Sequence, residues 1–265
     1  VLYATTRAEG EPAVASALVV VPRAPAAGPR PVLAWTHGTT GVDRSCAPSL
    51  MAHGLEAGAF LLLDEVLAEG WALVAPDYVG LGTEGPHPYL VGDATARSVL
   101  DAVRAARRMD EVDVAEETVL WGHSQGGGVA LWSGQVAPTY APDVDLAGVA
   151  ALAPAADVVG LVDGLRTLTG GSIFASYAVA GYTATYPELS VGDLVRPSAR
   201  RSFEATAARC LDGTALASVL TSVTTGMDAF VADYEDRVRA RLEQNVPRGP
   251  MSAPLLEVRG ALTMS

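Results

Sequence analysis

Ser124 sits at the centre of Gly122-His123-Ser124-Gln125-Gly126, directly after the apolar run Val119-Leu120-Trp121. A G-x-S-x-G spacing after such a run suits a sharp strand-to-helix turn. Gly122 and Gly126 leave room on either side, and the central hydroxyl stands exposed at the tip. A serine so placed can attack an acyl carbon. The helix expected from near Gly127 points its free amides and dipole at the same spot, where a developing oxyanion would need them. The Gln125 amide is the first candidate donor.

A second stretch, Trp35-Thr36-His37-Gly38-Thr39-Thr40-Gly41, follows another apolar run. Its glycine lets the backbone bend, so the amide of Thr39 or Thr40 can supply the second oxyanion donor. His37 reads as a residue that holds this loop. His123 occupies the position beside the nucleophile, where side chains diverge, and reads as packing inside the fold. The four histidines are His37, His53, His87 and His123, and none follows Ser124.

The elements that must position these residues are legible as alternating patterns. Apolar runs at 15–21, 31–37, 71–78, 118–123 and 146–154 read as strands, several of them hydrophobic throughout, as in a sheet covered on both faces. Between them, 59–70 predicts a helix ending at Gly70. A better helix spans 93–109, with Asp93 as its cap, Val99, Leu100 and Val103 on one stripe, and Arg107 and Arg108 at its C-terminal end. Strand-helix-strand alternation implies a mostly parallel, doubly wound α/β sheet. From about 157 to 248 strands give way to helical patterns, including 203–222 and 227–245, and 253–260 reads as one more strand. The expected organisation is a core over 1–156, a helical insertion over 157–248 and a return to the core over 249–265.

Bulk properties narrow the partners. Of the 265 residues, 49% are hydrophobic and 18% charged, enough for a full core, and the net charge of −12 disfavours nucleic acid. No apolar stretch reaches the length of a membrane span. Neither a zinc spacing nor a phosphate-binding loop is present, so no metal or organic cofactor is expected. Cys46 and Cys210 are far apart, which leaves two readings: free thiols, or one disulfide of the kind an exported protein carries.

Taken together, AWTHGTTGVDRSCAPS, ALVAPDYVGLG, HPYLVG, SVLDAVRAAR and GHSQGG resemble the secretory lipases of the α/β-hydrolase fold, over nearly the whole chain. The resemblance implies a secreted or extracytoplasmic serine esterase or lipase acting on a small-molecule ester or lipid. Its nucleophile would be Ser124, and its oxyanion hole Gln125 with Thr39 or Thr40. It also implies a helical cap between the sixth and seventh main strands that narrows an acyl pocket. Ile173, Phe174, Tyr177 and Tyr182 could line that pocket, although core packing is the plainer role for each. A Cys46–Cys210 bridge would tie the cap down.

In the family pattern an acid follows the strand read here at 253–260, and the histidine comes later. The acid position falls on Thr263, and the sequence stops two residues on. Three readings account for this. The chain is a fragment, shortened at its C-terminus; the site is rewired, with His87 as base and Asp157 as its acid; or the protein binds acyl ligands without turning them over. For His87 the plainer reading is a loop residue between Pro86 and Pro88. A shortened fold would also leave the seventh strand as an exposed edge, open to self-association.

Overall fold

The computed structural model describes residues 1–7, 10–168, 170–211, 225–231 and 236–259. Seven strands form one sheet in the order β1-β2-β4-β3-β5-β6-β7. They are β1 Leu2–Thr6, β2 Pro12–Val20, β3 Arg30–Thr36, β4 Ala72–Pro76, β5 Val114–His123, β6 Asp145–Leu152 and β7 Leu255–Val258. β1 and β2 run antiparallel at one end, and every pairing from β4 through β3, β5 and β6 to β7 is parallel. The runs read as strands are strands. β1 has no counterpart in the sequence reading, because its five residues are too short for a pattern to stand out.

The helices are α1 Gly54–Ala57, α2 Leu63–Ala68, α3 Gly92–Ala106, α4 Gln125–Tyr140, α5 Val158–Gly164, α6 Gly171–Thr185, α7 Val191–Leu194, α8 Arg200–Ala207 and α9 Asp236–Gln244. Alternation along the central strands feeds two layers. Ala34 and Leu120 join Val99, Leu100 and Val103 of α3 and Val129 and Ala130 of α4 on one face. On the other, Leu33, Trp35 and Leu73 pack with Phe60, Leu63 and Val66 around α2. Helices on both faces of a mostly parallel sheet make the doubly wound arrangement expected from the alternation.

Some boundaries differ from expectation. α2 covers only the middle of 59–70, and Gly70 follows shortly after at φ 83°. α3 begins at Gly92 with Val91 as its cap; Asp93 lies in the first turn and pairs with Arg97 at 2.7 Å, so its carboxylate serves an i,i+4 ion pair and not the end of the helix. Helix α4 starts two residues earlier than read, at Gln125. The helix read over 227–245 is broken, because buried Phe230 bridges Val195 in extended pairing before α9 begins. Of the helix read over 203–222, α8 covers the start within the described residues and 212–222 lie outside them. The expected acid position Thr263 also lies outside them.

Candidate active site

β3 and β5 are parallel neighbours, with Trp35 opposite Trp121 and Thr36 opposite Gly122. The loop leaving β3 and the turn leaving β5 therefore emerge side by side at the C-terminal edge of the sheet. That edge, at a reversal of strand order, is where open α/β sheets place their ligands.

Ser124 has φ 56° and ψ −119°, a backbone conformation that L side chains rarely adopt. The surroundings hold it there. Its amide donates to Leu152 O at 3.0 Å, and its carbonyl accepts from Gly128 N at 3.2 Å and Ala155 N at 2.9 Å. The flanking glycines are required by contact. A Cβ on Gly126 would lie 1.8 Å from Thr36 O, and one on Gly122 would lie 2.0 Å from Thr36 Oγ1. Thr36 Oγ1 also donates to Gly126 O at 2.8 Å, latching β3 to the first turn of α4. Half-buried, the Ser124 hydroxyl has no hydrogen-bond partner among the described residues.

Gly38, Thr39 and Thr40 form the neighbouring loop. Gly38 N is used by Gly58 O at 3.0 Å, whereas the amides of Thr39, Thr40 and Gln125 have no acceptor among the described residues. Free amides beside a candidate nucleophile are what oxyanion binding needs. The Thr39 hydroxyl meets Tyr89 Oη at 2.8 Å. Thr40 is buried; its carbonyl accepts from Leu211 N at 2.7 Å, and its hydroxyl is unpaired among the described residues. His37 braces this loop as expected. It is buried, stacks on Tyr78 at 4.2 Å, and sets Nδ1 against Gly38 O and Nε2 against Asp77 O. Burial lowers its pKa, so the ring is neutral and donates to one carbonyl at a time. His123 lies along the same loop, where a Cβ on Gly38 would come within 3.6 Å of its Nδ1.

His87 is buried, and its two nitrogens are engaged away from Ser124. Nδ1 lies 3.1 Å from Val79 O and Nε2 lies 3.1 Å from Gln125 Nε2. A carbonyl oxygen only accepts, so Nδ1 carries the proton and Nε2 accepts from the Gln125 amide. Burial pushes the imidazole down to about 3. Asp157, exposed, caps α5 by accepting from Gly160 N at 2.9 Å. The structure thus puts His87 on Gln125 and Asp157 on a helix end, and brings neither to the other. His53, also exposed, precedes α1.

Cys46 and Cys210 form a disulfide. It joins the segment after the Thr39–Gly41 loop to the helical segment between β6 and β7, and Tyr177 Oη donates to the adjacent Arg209 O at 2.6 Å. Ile173, Tyr177 and Tyr89 share one buried cluster, while Tyr182 lines a largely apolar cavity of about 270 Å³ with Leu165, Ala178, Leu194 and Phe230. Phe174 packs against the first of these groups.

Three contributors escaped the sequence reading. Asp77 is buried, and its carboxylate accepts from Ser16 Oγ, Ser49 Oγ and Ser49 N at 2.6–2.8 Å, joining β2, β4 and the chain beyond Cys46. Tyr78, at φ 70°, donates to His37 O at 3.0 Å. Tyr89 grips Thr39. All three lie in Asp77-Tyr78-Val79-Gly80 or His87-Pro88-Tyr89, whose dense Gly, Pro and aromatic content was the available signal.

A mostly parallel sheet with helices on both faces, and a serine at positive φ between a strand and a helix, define an α/β-hydrolase. Solved structures agree on the fold. Candida antarctica lipase A superposes with a TM-score of 0.76 at 20% identity, over 92% of this chain and 58% of its own. The rice cell wall degrading esterase LipA of Xanthomonas oryzae gives 0.78 at 22% identity, over 97% of this chain and 73% of its own. The secretory lipase family matches residues 51–243, and the chain belongs to that family. A probable inactive lipase of Mycobacterium tuberculosis, MT1628, is 31% identical over 201 residues, 71% of this chain and 44% of that protein. A secreted triacylglycerol lipase of Malassezia globosa, LIP4, is 32% identical over 129 residues, 46% of this chain and 26% of that protein. The chain therefore spans less than half the length of these two relatives.

Proposed function

We propose that this chain carries the nucleophile and oxyanion machinery of a serine hydrolase that cleaves carboxylic esters, in an extracellular setting suited to its disulfide. The supporting observation is Ser124 held at positive φ beside three amides without acceptors among the described residues. On this reading Ser124 Oγ attacks the ester carbonyl carbon and gives up its proton to a base. The amides of Gln125 and of Thr39 or Thr40 take the negative charge on the carbonyl oxygen. Collapse of the tetrahedral intermediate expels the alcohol with a proton and leaves a seryl ester, and water then releases the acid. The base is not assigned: His87 is occupied by Gln125, and no described histidine bonds Ser124 Oγ.

The helical segment over 157–248 is assigned as a cap, and the apolar cavity at Tyr182 as room for an acyl chain. β7 pairs only with β6 among the described residues, and Leu256 on it is 60% exposed, which supports self-association along that edge. Light scattering at micromolar concentration checks this, and a monomer counts against it.

A second reading, an acyl-ligand binder without turnover, is favoured by the Ser124 hydroxyl's lack of a partner among the described residues and by the mycobacterial relative being a probable inactive lipase. Hydrolysis of p-nitrophenyl butyrate, run beside Ser124→Ala, separates the two. Turnover that disappears in the variant supports the hydrolase. Equal background in both supports the binder.

A further inference from the structure

The two candidate oxyanion loops are each held from outside by one short segment. His87 Nε2 accepts from the side-chain amide of Gln125 at 3.1 Å, and Tyr89 Oη meets the hydroxyl of Thr39 at 2.8 Å. One grip reaches the turn after β5 and the other the loop after β3. We propose that His87-Pro88-Tyr89 is a positioning element that sets the spacing of the oxyanion donors by holding Gln125 and Thr39 at once. This rests on the reading that Gln125 with Thr39 or Thr40 forms the hole.

Two features make the segment fit for this. First, it is fixed against the core. A Cβ on Gly80 would lie 2.3 Å from Pro86 O and 2.4 Å from His87 N, so two stretches of backbone are packed directly together. His87 is tied back to Val79 O, lies parallel to the Tyr78 ring at 5.9 Å, and accepts on its own carbonyl from Tyr89 N at 2.9 Å. Second, the far side of Tyr89 is backed by α6. A Cβ on Gly181 would sit 2.7 Å from Tyr89 N, and the Tyr177 ring meets Tyr89 edge-on at 5.9 Å. A shift of α6 would therefore be felt at Thr39.

The grip on Gln125 has no substitute among the described residues. Gln125 is buried and its Oε1 has no partner among the described residues, so the bond to His87 is the one this amide makes there. Without it the side chain has no reason to keep its rotamer, and the backbone amide at the start of α4 loses a constraint. Small misplacements of such donors cost large factors in rate.

The test is the rate at which a fluorophosphonate phosphonylates the Ser124 hydroxyl, releasing fluoride, in wild type, Tyr89→Phe, His87→Leu and His87→Gln. Thermal melting checks folding in each. Tyr89→Phe and His87→Leu are expected to slow the bond-forming step by about 10- to 100-fold with reversible binding of the probe little changed. His87→Gln, which restores an acceptor near Nε2, is expected to recover most of that loss. Folded Tyr89→Phe and His87→Leu proteins that label at the wild-type rate would overturn the proposal. If His87→Leu does not fold, Tyr89→Phe, which removes one oxygen, still decides. Failure of the wild type to label would instead sink the hydrolase reading. Hydrogen exchange at the amides of Thr39 and Gln125 then decides the positioning role: faster exchange in the variants supports it, and unchanged exchange overturns it.

Discussion

Leu211 donates its amide to the carbonyl of Thr40 at 2.7 Å, one residue beyond the half-cystine Cys210. The disulfide and this hydrogen bond together hold the insertion against one candidate oxyanion loop. The bridge spans 164 residues, so its removal frees a long loop in the unfolded chain. Replacing both cysteines by serine is expected to cost about 2–5 kcal/mol. It should also slow Ser124 phosphonylation. Thermal melting with and without reductant, beside the labelling rate, checks both.

The strain at Ser124 predicts an inverted ranking of substitutions. At φ 56° and ψ −119° a Cβ is unfavourable, and glycine is at home. Ser124→Gly is therefore expected to be at least as stable as Ser124→Ala, by about 1 kcal/mol, although glycine ordinarily loses to alanine. Urea unfolding of the two variants measures the difference.

At Gly126 a methyl group has nowhere to go. Its Cβ would overlap the Thr36 carbonyl at 1.8 Å, a backbone atom that cannot rotate aside. Gly126→Ala is expected to destabilise by about 3 kcal/mol or more, or to prevent folding. Gly28→Ala, where nothing lies within 4 Å, should be neutral in the same melting assay.

Acid should weaken the fold through His87. Burial holds its imidazole down to about 3, against about 6.5 for an exposed histidine. Between those values the unfolded chain binds a proton that the folded one refuses. The contribution is complete above about pH 6.5 and falls by about 1.4 kcal/mol per pH unit as the pH drops toward 3. His37, whose pKa burial also lowers, acts in the same direction. Urea midpoints across this range should fall less steeply in His87→Gln than in wild type. Equal slopes would show that His87 is not held neutral.

Much of the scaffold was legible in the sequence, because central strands such as Val32–Trp35 and Leu73–Ala75 are apolar on both faces and leave an unbroken signal. The turn at Ser124 was legible because Gly122 and Gly126 answer to steric contacts that admit no other residue. The grips on the site were not. His87 in a loop between prolines looked idle or, at most, like a distant base, since its partner Gln125 lies 38 positions away and carries no motif of its own. The Val195–Phe230 pairing that breaks the helix read over 227–245 is a contact between distant segments, invisible to a local periodicity.

Asn245 has a wider consequence. Its side chain accepts from Gly92 N and its carbonyl from Trp132 Nε1, each at 3.0 Å, where the chain leaves α9. Ala155 and Val158, where the chain departs from β6, line the same small cavity as Asn245 and Trp132. Departure and return thus share one doorway in the wall of the sheet. Seen from the strands, nearly ninety residues amount to a closed loop, and closure entropy grows only slowly with loop length. A change in the length of that segment is therefore expected to cost the sheet beneath little.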